Sequence, residues 1–120
     1  MLRSSLPQRK PAKSAKADAG LRCRQHLQWV RGHVCTVCGT RGDEGNKIEA
    51  AHVRRAANSG VSIKPSDAFT VPLCAACHRE SHRGEKTFEA KNKVDLMAIA
   101  QRLFRKSPHR ANLADPWGAR

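Results

Sequence analysis

Apolar residues come in short bursts along this chain, and their spacing predicts a set of small elements. Between Leu21 and Arg31, Leu27 and either Val30 or Trp29 fall on one side of a short helix. Cys35-Thr36-Val37-Cys38-Gly39 reads as a tight turn, followed from Thr40 to Asn46 by a loop of turn formers that includes Gly42 and Gly45. Lys47 to His52 reads as a short strand. Asn58-Ser59-Gly60 and Lys64-Pro65-Ser66-Asp67 mark a long excursion, and Phe69 to Leu73 reads as a second strand ending at Cys74. Ala75 to Arg83 suits a short helix stopped by Gly84. The strongest pattern is Leu96, Ile99, Ala100 and Leu103 at i, i+3, i+4, i+7, with Phe104 beside them. It predicts a C-terminal helix over about 92–106, with Asn92 as cap, Asp95 as a capping-box acid, and Arg102, Arg105 and Lys106 in its last turn. Pro108 stops it. This helix is expected to cover the core.

Both ends lack such periodicity. Residues 1–20 carry Arg3, Arg9, Lys10, Lys13 and Lys16 against the single acid Asp18, interrupted by Pro7 and Pro11, and read as a disordered basic tail. Residues 107–120 read as a loose C-terminal tail, leaving one domain over 21–106. The chain of 120 residues has 39% hydrophobic residues but only 4% aromatic ones, so its core is thin and a chain this small needs a staple. No apolar run reaches membrane-spanning length, and no apolar stretch follows the basic N-terminus, so neither membrane nor export is expected and a cytoplasmic location follows.

Five cysteines and six histidines supply candidate staples. In a reducing compartment, regularly spaced cysteines point to metal before disulfides. Cys35/Cys38 and Cys74/Cys77 each offer two thiolates from one knuckle, and together they form a closed site for structural Zn²⁺. Cys23 has no partner and reads as a plain thiol. Cys74-Ala75-Ala76-Cys77-His78 also matches a haem attachment pattern, but that chemistry requires export and leaves Cys35 and Cys38 unexplained. His78 and His82, at i, i+4, project from one helix face and can share one metal ion. His52 closes the first strand, where a neutral imidazole can take a proton from water near pH 7.

Strand, histidine, loop, strand, knuckle and two-histidine helix together resemble the HNH endonuclease family, closest to its small phage-type members. The likeness covers roughly Val34 to Gly84 and rests on Cys35-Thr-Val-Cys38-Gly39, Ala51-His52 and Pro72-Leu73-Cys74-Ala-Ala-Cys77-His78-Arg-Glu-Ser-His82. It implies a small α+β fold in which a ββα-metal (His-Me finger) motif is stapled by a four-cysteine pair of zinc knuckles and flanked by helices. It further implies a DNA endonuclease with His52 as general base. His78 and His82 would hold a catalytic divalent ion: Mg²⁺, Mn²⁺, Ni²⁺ or Zn²⁺. The expected setting is a bacterial or phage-infected cell, with a homodimer or an accessory role in recombination or packaging among the partner options. Two positions depart from the family pattern. Ala51 stands where many members carry a metal ligand, which leaves His52 open as ligand instead of base, and Glu49 or Asp67 open as substitutes. Phe69 stands where many carry an asparagine.

Lys and Arg number 23 against 10 Asp and Glu, a net charge of +13 that favours a polyanionic partner, DNA first. Arg54, Arg55, Arg79 and Arg83 flank the histidines and are expected to contact phosphates, and Lys64 is a weaker candidate. Trp29 is expected to pack internally, and Trp117 could stack on a base. The competing reading is a non-catalytic, zinc-stabilised DNA-binding module.

Overall fold

The computed structural model describes residues 20–56 and 65–118; the basic tail, the turn Asn58-Ser59-Gly60 and Lys64 lie outside them. Among the described residues the chain is a small α+β unit with one two-stranded sheet and four α-helices. These are α1 (Arg24–Arg31), β1 (Ile48–His52), β2 (Thr70–Cys74), α2 (Ala75–Ser81), α3 (Glu85–Asn92) and α4 (Leu96–Lys106).

The strands pair antiparallel, from Ile48 opposite Cys74 to His52 opposite Thr70. Every residue of β2 is buried, as expected of a strand covered on both faces. Pro72 has no N–H for a ladder, yet its carbonyl accepts from Thr36 N at 2.9 Å, so the turn carrying Cys35 is laid along the strand. At the sheet end, Ala75 N donates to the Lys47 carbonyl at 2.9 Å, and Asn46 Oδ1 accepts from Ala76 N at 2.9 Å. Asn46 thereby satisfies one of the first N–H groups of α2 from the far side of the hairpin.

The main core joins Ile48, Ala51 and Val53 to Val71, Leu73, Phe88, Leu96 and Ala100. A smaller cluster holds Cys23, Ala68, Phe104 and Leu113, and Trp117 packs against both. Helix α4 presents Leu96, Ala100 and Phe104 to these clusters. Its apolar stripe is therefore the one its periodicity predicts, with Phe104 more deeply buried than Leu103.

Several boundaries differ from the sequence expectation, and both strands begin one residue later, at Ile48 and Thr70. Helix α1 begins only at Arg24, after Cys23 in extended conformation. Helix α2 ends at Ser81, and Gly84 does not stop it but precedes α3, accepting at its carbonyl from Phe88 N at 2.9 Å. Helix α4 starts at Leu96, and Asp95 is its N-cap, accepting from Ala98 N at 3.1 Å. Asn92 instead closes α3 and donates to the Phe88 carbonyl.

The segment after α4 is not loose through Gly118. Arg110–Asn112 forms a 3-10 turn, Leu113 is buried, and Ala114 N donates to the Gly20 carbonyl at 2.9 Å. Trp117 meets the Phe69 and Phe104 rings at 4.9 and 5.8 Å, so it is a packing residue. Trp29 is only half-buried and lies against His26 and His33.

Candidate functional site

Folding of the hairpin brings the two cysteine knuckles together. Cys35 N donates to the Thr40 carbonyl and Gly39 N to the Cys35 carbonyl, at 2.9 and 3.0 Å, closing the first turn. Gly39 takes φ +75°, a conformation that glycine adopts without strain. The N–H groups of Val37 and Cys38 point at Cys35 Sγ from 3.4 and 3.5 Å. The second pair straddles the junction of β2 and α2. All four Sγ atoms lie within 4.8 Å of one another, and Cys38 and Cys74 are 3.8 Å apart. A tetrahedron of zinc–sulfur bonds has edges of about 3.8 Å, so the four cysteines could hold a structural metal such as zinc.

The thiols show why a cation suits this cluster. Burial pushes Cys35 up, but the N–H groups of Cys38, Cys74 and Val37 outweigh it and bring the thiol down to about 7. Burial also raises Cys74, and its bonds from the Cys77 N–H and from Asn46 carry it below the ordinary value. Cys77 is driven up, by burial first and then by Cys74 and Cys35. Cys38 also rises: the Thr40 N–H lowers it, but burial and the neighbouring sulfurs prevail. Four thiolates this close repel, and a divalent cation among them removes that conflict. Cys23, buried at the start of α1, stands outside the group.

Beside this centre, Glu49, Ala75, His78, Arg79 and His82 line an open cleft of about 190 Å³. Helix α2 begins at the second knuckle, so the sulfur cluster fixes the direction in which His78 leaves the sheet. Glu49 Oε1 lies 2.7 Å from His78 Nδ1 and fixes the proton on that nitrogen. The lone pair of His78 Nε2 then faces His82 Nε2 at 3.2 Å. Two nitrogens bound to one cation stand about 2.9–3.4 Å apart, so this pair fits a shared divalent ion. Burial lowers the His82 pKa, and His78 and Arg54 lower it further, which keeps the ring available as a neutral ligand.

His52 is not among the residues lining that cleft. Its Nε2 meets Asp67 Oδ1 at 2.9 Å. The Asp67 side chain is 3% exposed; its other oxygen accepts from Cys23 N at 2.9 Å, and Arg22 stands 3.6 Å from Oδ1. Burial alone would raise the Asp67 pKa, but His52, the Cys23 N–H and Arg22 hold it below the ordinary carboxylate value. Of the two acids left open by the sequence, each meets a different histidine. Glu49, out of phase with His52 on the strand, joins the histidines of α2, and Asp67, two residues before Phe69, joins His52.

The arginines divide in the same way. Arg55 is not a free phosphate contact: its guanidinium binds Glu85 at 3.1 Å and Glu89 at 2.8 Å. Glu85 also accepts from Arg54 N at 2.6 Å, locking the turn after β1 to α3. Arg79 lines the histidine cleft, and the exposed Arg54 acts electrostatically on His82. Arg83 is exposed on another cleft, with Glu80 and Lys91. No sequence periodicity marks the Glu85/Glu89 clamp, because its partners lie about thirty residues away.

Both knuckles, all three histidines and Asp67 fall within residues 12–107, which match a family model described as a protein of unknown function, DUF968. The chain belongs to the DUF968 family. It is also similar to the uncharacterized protein YdfU of Escherichia coli (strain K12), at 29% identity over 75 residues. That alignment takes in 62% of this chain but 20% of YdfU, so the DUF968 chain spans about a fifth of that relative. No solved structure matches it. Among the described residues, no helix is long and apolar enough to cross a membrane.

Proposed function

We propose that this DUF968 chain is a metal-dependent DNA endonuclease of the HNH type, built on a ββα-metal motif and stapled by zinc at Cys35, Cys38, Cys74 and Cys77. The observation that carries the reading is the convergence of His78 Nε2 and His82 Nε2, 3.2 Å apart, on the helix that follows an antiparallel hairpin. A divalent cation held by these two rings would supply Lewis-acid neutralisation of charge on a phosphodiester. Two protein ligands leave room for water and phosphate, and Glu49 keeps His78 in the ligating tautomer.

The chain's own groups do the rest. Arg79 and Arg54 draw the phosphate backbone to the cleft, a contact that positions without reading sequence. His52 takes a proton from water through Nδ1, the nitrogen turned away from Asp67. The water oxygen forms a new bond to phosphorus as the bond to the leaving oxygen breaks, and the leaving oxygen is protonated from solvent. With one histidine cleft among the described residues of each chain, cutting both strands takes two chains or two successive nicks.

His78→Ala and His82→Ala test the ion site. Each is expected to reduce metal-dependent nicking of supercoiled plasmid by at least about 10²-fold while zinc stays in the cysteine centre. Variants that nick like the wild type would remove the ion from the mechanism. A DNA-binding module without catalysis is the second reading, favoured by His52 lying outside the cleft lining and by Ala51 being buried in the core, where it offers no ligand. That reading predicts plasmid binding that weakens steeply with salt, and no cleavage with any metal.

A further inference from the structure

We infer that Asp67 is the positioning residue of the reaction, holding His52 in the tautomer with the proton on Nε2 and the lone pair on Nδ1. The inference rests on the nuclease reading above. The geometry leaves the carboxylate little freedom. Asp67 N donates to the Leu21 carbonyl at 2.9 Å, and the Asp67 carbonyl accepts from Thr70 Oγ1 at 2.9 Å. The backbone is thus tied both to the start of α1 and to the first residue of β2. Of the two carboxylate oxygens, Oδ2 is taken by the Cys23 N–H and Oδ1 faces His52 Nε2. A carboxylate can only accept, so a neutral His52 must donate from Nε2. Among the described residues, Nδ1 of His52 has no hydrogen-bond partner. It is the nitrogen left with a lone pair to receive a proton from water.

The pairing is buried enough to matter. Asp67 is 3% exposed at its side chain and His52 17%, so water does not compete freely for their hydrogen bond. Arg22, beside Oδ1, keeps the carboxylate ionised, as does the Cys23 N–H. The other titratable group coupled to Asp67 is His26, whose own pKa is lowered by burial although Asp67 pulls the other way, so its ring is neutral where His52 is to act. The sheet itself is paired through β1 and β2 backbone groups.

Asp67→Asn isolates the effect. The Cys23 N–H is a fixed donor and claims the amide oxygen, which turns the amide NH₂ toward His52 Nε2. His52 Nε2 must then accept, and the proton moves to Nδ1, the nitrogen that has to act as base. In Ser-His-Asp hydrolases the same substitution leaves the geometry intact and lowers kcat by about 10⁴-fold through the wrong tautomer.

The test combines long-range proton–nitrogen NMR of the imidazoles at pH 8 with plasmid-nicking kinetics of the wild type and D67N, both zinc-loaded and supplied with Mn²⁺. The wild type is expected to show His52 protonated at Nε2, and D67N at Nδ1. The variant should lose at least about 10²-fold in kcat with KM little changed. A merely structural role for Asp67 would not move the tautomer. A wild-type His52 protonated at Nδ1 overturns the inference, even if D67N does not fold, and so does a D67N that nicks at the wild-type kcat. Failure of the wild type to nick would instead overturn the nuclease reading, and the positioning role with it.

Discussion

His26 is fully buried, with Nδ1 2.9 Å from Ser107 Oγ and Nε2 without a partner among the described residues. Burial lowers its pKa below the ordinary 6.5, with His109 adding to that and Asp67 partly opposing it. The sign of the linkage is fixed. Above pH 6.5 the ring is neutral in both folded and unfolded chains; below it the unfolded chain binds the proton first. Stability is therefore expected to fall as pH drops from 6.5 towards the lowered folded value, and His26→Gln should flatten that slope in urea melts run at successive pH values. An equal slope in both proteins would place the dependence elsewhere. Gly42 makes a second prediction at this scale. It sits at φ +85°, and a Cβ there would meet Ile48 Cγ1 at 3.0 Å and Ile48 N at 3.1 Å. Gly42→Ala is expected to destabilise by about 1–3 kcal/mol, read from the urea midpoint.

Among the elements, α4 was legible in the sequence because its buried positions Leu96, Ala100 and Phe104 repeat at the helical period, and the two strands because each is a short apolar run bounded by turn formers. Helix α3 was not, since Phe88 is its only buried residue and Gly84 before it reads as a stop. It is held by distant groups: Glu85 and Glu89 clamp Arg55, and Glu89 also accepts from Leu96 N at 2.7 Å, tying α3 to the start of α4. Its last turn closes on Lys93 in the left-handed region at φ 56°. A side chain there is strained, so Lys93→Gly is expected to stabilise by about 0.5–1 kcal/mol in the same melts. No gain would mean that the lost lysine contacts or added chain entropy cancel the relief. The packed segment around Leu113 and Trp117 was illegible for another reason: isolated apolar residues carry no period, and only the folded chain shows what they cover.

For the molecule as a whole, the cysteine spacing announced a metal-ready cluster, and Glu49 and Asp67 were legible as candidate acids, whereas the histidine that each one meets was not. Glu49 meets His78 across 29 positions and Asp67 meets His52 across 15, and no local pattern encodes such pairings. The cluster joins a turn before β1 to the β2–α2 junction, so a bound metal would tie the sheet to its helix where the aromatic core is thin. Purified protein is expected to carry one tightly bound zinc per chain. Its removal by a strong chelator, or Cys74→Ser, should abolish the cooperative thermal transition. An unchanged melting curve in metal-free protein would show that the core suffices alone. The proposed DNA cleavage is tested by nicking of supercoiled plasmid with EDTA or with Mg²⁺, Mn²⁺, Ni²⁺ or Zn²⁺, alongside zinc-loaded His52→Ala. The wild type is expected to nick with at least one of these ions and not in EDTA, and the variant to lose the activity; plasmid bound but left intact by the wild type under every condition would rule out the nuclease.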